Sequence, residues 1–245
     1  TDATITLNNA NPFTGAVALN TTGSSGNATV VDASGLNLAA STVGGNLAAT
    51  ATTGDIVDSG NIVVTGTSTF ITGADGSNII LDSSGNAFSK VVHLKADTGG
   101  NETFGNITFV DSSSRVVHQP ACGDNNCFSI DAATDNAIGG NLSITSTTGT
   151  LSQATNKVLA VGGTSSFTTL GSNKQINMSP GANASNTFTG AVSVNATSWA
   201  QIKGGAGGTT LDMAASSVAG ILTLKSEGGI TDSGTVTSPN LNAIT

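Results

Sequence analysis

The stretch 43–70, VGGNLAATATTGDIVDSGNIVVTGTSTF, returns at 138–167 as IGGNLSITSTTGTLSQATNKVLAVGGTSSF, and a weaker copy opens at Val218 as VAGILTLKSEGGITDSGTV. A second landmark travels with it: Phe13-Thr14-Gly15-Ala16-Val17 recurs as Phe88-Ser89-Lys90-Val91-Val92 and as Phe188-Thr189-Gly190-Ala191-Val192. Long-period self-similarity decides the architecture before any local pattern does, because each copy is a unit that cannot bury its apolar face alone. Phe13 to Val43 is 30 residues and Phe188 to Val218 is again 30, whereas Phe88 to Ile138 is 50. The chain therefore reads as one domain of three long repeats, about 1–77, 78–174 and 175–245, with an insert of 20 residues inside 95–137 of the middle one.

Within each copy the apolar residues alternate with period two, as a half-buried strand requires. Leu47 and Ala49 point one way and Asn46, Ala48 and Thr50 the other; Leu142 with Ile144 and Leu222 with Leu224 repeat the pattern. Ile62, Val64, Phe70, Ile79 and Leu81 extend it. Gly, Asn, Asp and Ser clusters bound each short run, and Gly44-Gly45 and Gly139-Gly140 are expected to supply turns at positive φ. Apolar positions recur about every ~20 residues, the length of one turn of a β-solenoid. The expected fold is all-β, a right-handed parallel β-helix with about three strands per coil. Roughly 12 coils at ~4.8 Å each would make a rod of about 60 Å.

Composition narrows the function. Only 9% of the 245 residues are charged, and the net charge is −8 with the Lys and Arg residues scattered. Nucleic acids and anionic membranes are recognised by clustered cations, so neither is an expected partner. No apolar run approaches ~18 residues, so no membrane-inserting helix is expected. The chain starts at Thr1 and stops inside a repeat, and is read as a piece of something longer.

The insert holds the two cysteines, in Pro120-Ala121-Cys122-Gly123-Asp124-Asn125-Asn126-Cys127. The turn-forming residues between Cys122 and Cys127 favour a tight reversal, so a disulfide-closed hairpin is expected ahead of an added coil. Such a bond would contribute about 2 kcal/mol by loop entropy and place the protein outside the cytoplasm. The competing readings are a metal site, for which His118 and Asp124 make an unusual ligand set, and free thiols; the spacing is not the C-x-x-C of redox pairs. Asp124, Asn125 and Asn126 at the tip form a candidate interaction loop.

Two acidic pairs, Asp55 with Asp58 and Asp131 with Asp135, suit glycosidic hydrolysis if held across a cleft. Neither has a cationic cluster beside it, and Thr150 stands where the second copy would repeat Asp55. They are read as turn residues, with no catalytic group, cofactor or metal site assigned. Hydroxyl rows such as Thr65-Gly66-Thr67 and Thr145-Ser146-Thr147 do not recur at fixed spacing, which favours a solvated β-face over an ice-binding array.

The set GGNLxxTxTTGx, TGTSTF or GGTSSF, and NAFxKVV or NTFTGAV resembles the repeats of filamentous-haemagglutinin-like large exoproteins, adhesins exported by two-partner secretion. The resemblance spans most of 1–110 and 138–245 and implies a β-helix at the surface of a Gram-negative bacterium. The expected function is a non-catalytic shaft segment of an extracellular adhesin or filament, mediating surface, cell–cell or biofilm contact. Its partners would be surface glycans or proteins, or copies of itself stacked end to end. The alternatives are a self-assembling fibre subunit and a polysaccharide-active β-helix enzyme.

Overall fold

The computed structural model describes residues 2–96, 103–118, 127–131 and 138–245. It is an all-β parallel solenoid of about nine turns, with no α-helix among the described residues. One early turn shows the plan. Ala28–Asp32 lies in a first sheet, A; Leu36–Leu38 lies in a second, B; Ser41–Val43 lies in a third, C. Each strand pairs in parallel with its counterpart one turn on, in the register Ala28 to Leu47, Leu36 to Ile56 and Ser41 to Ile62. The three strands per turn match the sequence expectation.

The period-two pattern does the packing. In Leu47–Ala51, Leu47, Ala49 and Ala51 are buried while Ala48 and Thr50 stay half-exposed. Register then stacks the inward residues into columns: Val30, Ala49, Phe70 and Leu94 follow one another across sheet A, all buried. Leu142, Ile144, Leu222 and Leu224 are buried as the alternation requires. Each turn covers the column of the next, so the core is continuous along the axis and no turn holds one of its own.

The turns are fewer than twelve because they are longer and less even than ~20 residues. Paired positions are 19 residues apart from Ala28 to Leu47 and 21 from Leu47 to Ser68. They are 24 apart from Ser68 to Val92 and 27 from Ser165 to Val192. The corner glycines act differently from expectation. Gly44, Gly45, Gly139 and Gly140 are not among the positive-φ residues. Close approach explains Gly44, Gly45 and Gly140, though not Gly139: a Cβ on Gly140 would stand 2.5 Å from the Gly105 carbonyl oxygen and 2.6 Å from Asn106 Oδ1. Corners stacked that tightly leave no room for a side chain.

The described end of the insert joins the stack, and the hairpin expected to close through Cys122 and Cys127 lies outside the described residues. The described strand, Cys127–Asp131, lies in sheet A and runs parallel to both neighbours, Val92–Ala96 and Arg115–His118. It also sits out of chain order, between two strands that both precede it. Sheet B gains nothing at this level: Ile79–Leu81, Ile107–Asp111 and Leu142–Ser146 follow in direct succession.

Around this junction the third wall changes sides. Before it, sheet C stands on the path from B back to A and ends at Ala87–Phe88. After it, the third wall stands on the path from A to B. There Phe104, Ile138 and Val161 bridge in turn, and Ala160–Val161 pairs with Thr187–Phe188. Repeats alike in sequence therefore occupy different walls. Leu47–Ala51 lies in sheet A, its counterpart Leu142–Ser146 in sheet B, and Ile221–Ser226 again in sheet A.

A buried ion pair closes the end of sheet C. Phe88 and Lys90 point backbone groups toward the place where another strand would follow. The Phe88 N–H donates to Asp111 Oδ1 at 2.9 Å. Arg115 donates from Nη2 to the Phe88 carbonyl and from Nη1 to the Lys90 carbonyl, the latter at 2.8 Å. Arg115 Nε meets Asp111 Oδ2 at 2.5 Å, and both side chains are 1% exposed. Two side chains thus stand in for the missing strand. Beneath them Phe70, Phe88, Phe109 and Phe128 fill the junction core, with successive ring centroids 5.9, 5.4 and 4.3 Å apart.

Candidate functional site

The acidic residues at 55 and 58 bind the next turn. Asp55 accepts the Asn78 N–H at 2.7 Å and its Nδ2 at 2.9 Å. Asp58 accepts the Asp82 N–H at 2.9 Å and Asn86 Nδ2 at 2.6 Å. Both carboxylates are held at corners by bonds along the stack. Asp131 lends its backbone to sheet A opposite Lys95. Asp135, Cys122, Asp124, Asn125 and Asn126 lie outside the described residues, and Cys127 contributes the first backbone position of its strand. Among the described residues no group of His, Cys, Asp or Glu could hold a metal ion, and no helix is long and apolar enough to cross a membrane.

Asparagine carries a role that hydropathy reading passed over. Asn27 Oδ1 accepts the Asn46 N–H at 2.8 Å, and Asn46 Oδ1 accepts the Thr67 N–H at 2.9 Å. A second ladder continues from Asp55 through Asn78, Asn106 and Asn141 to Thr164. Each side chain satisfies a corner N–H of the following turn that no strand would reach. The signal was present in the sequence: an Asn stands directly before the first inward residue in Asn46-Leu47, Asn78-Ile79, Asn106-Ile107 and Asn141-Leu142. Asn141→Ala, which strips the Thr164 N–H and hydroxyl of an acceptor at 2.8 and 3.0 Å, is expected to lower stability by about 1 kcal/mol in a urea titration.

With the corners committed to scaffolding, the side face of sheet B is the distinctive surface. Its outward positions from the junction onward align in two rows. Thr108, Ser143, Ser166 and Ser193 form one. Val110, Thr145, Thr168, Asn195 and Ser217 form the other. Of the residues singled out in the sequence, Thr65, Thr67, Thr145 and Thr147, only Thr145 belongs to these rows. Turns of 35, 23 and 27 residues, unequal in the sequence, bring Ile107, Leu142, Ser165 and Val192 into one column. Hydroxyls then stand ~4.8 Å apart along the axis and about 6.6 Å apart along each strand. Among the described residues Ser193 and Asn195 are tied down: the Ser193 hydroxyl donates to the Ala215 carbonyl at 2.7 Å and accepts a longer bond from Asn195 Nδ2. No charged residue belongs to either row.

At the edge of this face, where the chain turns toward sheet A, a groove of about 380 Å³ is lined by Thr168, Leu170, Asn195, Thr197, Ser217 and Ala219. The corner also carries the exposed apolar side chains of three successive turns: Leu170 at 60%, Trp199 at 38% and Ile221 at 49%. Thr197 fixes the corner, donating to the Gly171 carbonyl while its hydroxyl accepts the Lys174 N–H at 2.9 Å. On the opposite side of sheet A, Glu227 is held below the usual carboxylate range. The Ser185 hydroxyl is the main cause, against some desolvation; the Gly207 N–H and Lys203 add to the lowering.

No curated protein matches this chain. No solved structure matches it either. A family described as repeats of unknown function, DUF5649, matches residues 25–95, 127–195 and 201–245. These segments cover most of the sequence and leave out much of the insert. The chain belongs to the DUF5649 family of repeats.

Proposed function

We propose that this chain is a non-catalytic, rod-like segment of an extracellular adhesin or filament from a Gram-negative bacterium, making contact through its side faces. The observation that carries this is the use made of the polar corner residues. Asp55, Asp58 and the two asparagine ladders bind turn to turn, and the acidic pair at 55 and 58 stays engaged in the stack. A stack held this way extends reach without needing a second core. The long repeats and their resemblance to exported adhesins agree with such a role.

The test is attachment. Displayed on the surface of a non-adherent Gram-negative cell, the chain is expected to raise attachment to host cells or to sister cells several-fold over an empty display vector. Attachment equal to that vector would sink the proposal. Release of reducing ends from a polysaccharide panel, lost on Asp55→Asn, would point instead to an enzyme.

A further inference from the structure

We infer that the corner groove beside sheet B, together with the hydroxyl rows that run into it, binds a neutral polysaccharide chain. This rests on the adhesive reading above and names the partner class and the place of contact. The groove combines two chemistries. Thr168, Asn195, Thr197 and Ser217 offer hydroxyl and amide groups, while Leu170 and Ala219 supply apolar surface. Trp199 stands two residues beyond Thr197 on the same corner, 38% exposed, and is the single tryptophan of the chain. Ring hydroxyls and the apolar C–H faces of a sugar call for this mixture: a few placed polar groups against an apolar wall, and an indole that gives a large rigid contact at low entropic cost.

Charge separates this occupant from others. No charged side chain lines the groove. An anionic polymer would need clustered cations, and Lys174, held by its backbone at the rim, is a single one. A neutral ligand escapes repulsion from a chain of net charge −8. A protein partner would be expected to cover a broader apolar core than Leu170, Trp199 and Ile221 provide. The hydroxyls of Thr145 and Thr168 are in register one turn apart and have no bond within the described residues. A sugar chain laid along the axis would meet Thr145, Thr168, Asn195 and Ser217 in successive turns.

The 245-residue chain is tested by sedimentation with insoluble cellulose, chitin and mannan, with polygalacturonate as the acidic control. Binding to at least one neutral polymer and none to polygalacturonate is expected. Thr168→Glu and Trp199→Ala are each expected to weaken binding at least about tenfold with unchanged circular dichroism and melting temperature. Thr50→Glu, on the outward side of sheet A, is expected to bind as the parent does. No binding to any neutral polymer, or full binding by both Thr168→Glu and Trp199→Ala, overturns the inference. Thermal hysteresis abolished by Thr168→Glu, without polysaccharide binding, overturns it in favour of an ice-facing surface. If displayed cells still attach while the polymers are not bound, the inference fails and the adhesive function stands.

Discussion

Arg115→Leu is expected to lower the unfolding free energy of the junction by about 3–5 kcal/mol, the usual result of removing one partner from a buried ion pair. Asp111 would remain 1% exposed with its Oδ2 stripped of the guanidinium. The Phe88 and Lys90 carbonyls would lose their Arg115 donors at the same time. The double variant Asp111→Leu/Arg115→Leu distinguishes a cap from an ordinary pair. Buried pairs replaced on both sides by apolar residues often cost nothing or even stabilise. Here the Phe88 N–H also depends on Asp111, so the double replacement strips the Phe88 N–H and the Lys90 carbonyl of their side-chain partners and leaves the Phe88 carbonyl only the Ser113 hydroxyl at 3.3 Å. Its stability is expected to stay well below the parent, as each orphaned buried backbone group costs about 1–3 kcal/mol. Hydrogen exchange read at the Phe88 amide would report the loss locally, since solenoids can open by segments. Full recovery in the double variant would show that the two side chains only neutralise each other.

Phe109→Ala is expected to cost about 3–5 kcal/mol, measured by denaturant titration. The ring is 1% exposed and stacked between Phe88 at 5.4 Å and Phe128 at 4.3 Å. Phe167→Ala is the comparison. That ring is equally buried but has one aromatic neighbour, Phe188, at 6.2 Å. An aromatic pair adds about 0.5–1.5 kcal/mol beyond the area it buries, so Phe167→Ala is expected to cost less by about that amount. Equal losses would mean that the stacked rings contribute only as buried volume.

The alternation of Leu47, Ala49, Leu142 and Ile144 was legible because it follows from strand geometry alone, and each of those side chains is buried. The parallel stack followed from the repeat, since a half-buried strand with no core of its own must lie on its copy. The change of wall was not legible. Leu47 and Leu142 occupy the same place in their repeats, and nothing within either stretch says on which sheet it stacks. That is settled by Asp111, Arg115 and the strand Cys127–Asp131, which together end one wall and fill a place in another. The hydroxyl face stayed hidden for the same reason. Ser143, Ser166 and Ser193 come at unequal intervals along the chain and align only once the turn lengths are known. Asparagine was counted as turn composition, although its fixed place before each inward aliphatic residue marked the ladders.

The strand Cys127–Asp131 lies between Val92–Ala96 and Arg115–His118, two segments made before it. A solenoid winding up from its N-terminal end can add each layer as it is synthesised, until it reaches this level. There Arg115–His118 cannot settle directly on Val92–Ala96 without shutting out a strand still to come. Winding must therefore wait, or reopen, until residue 131 is available, and the turns from Leu142 onward find their footing only after that vacancy is filled.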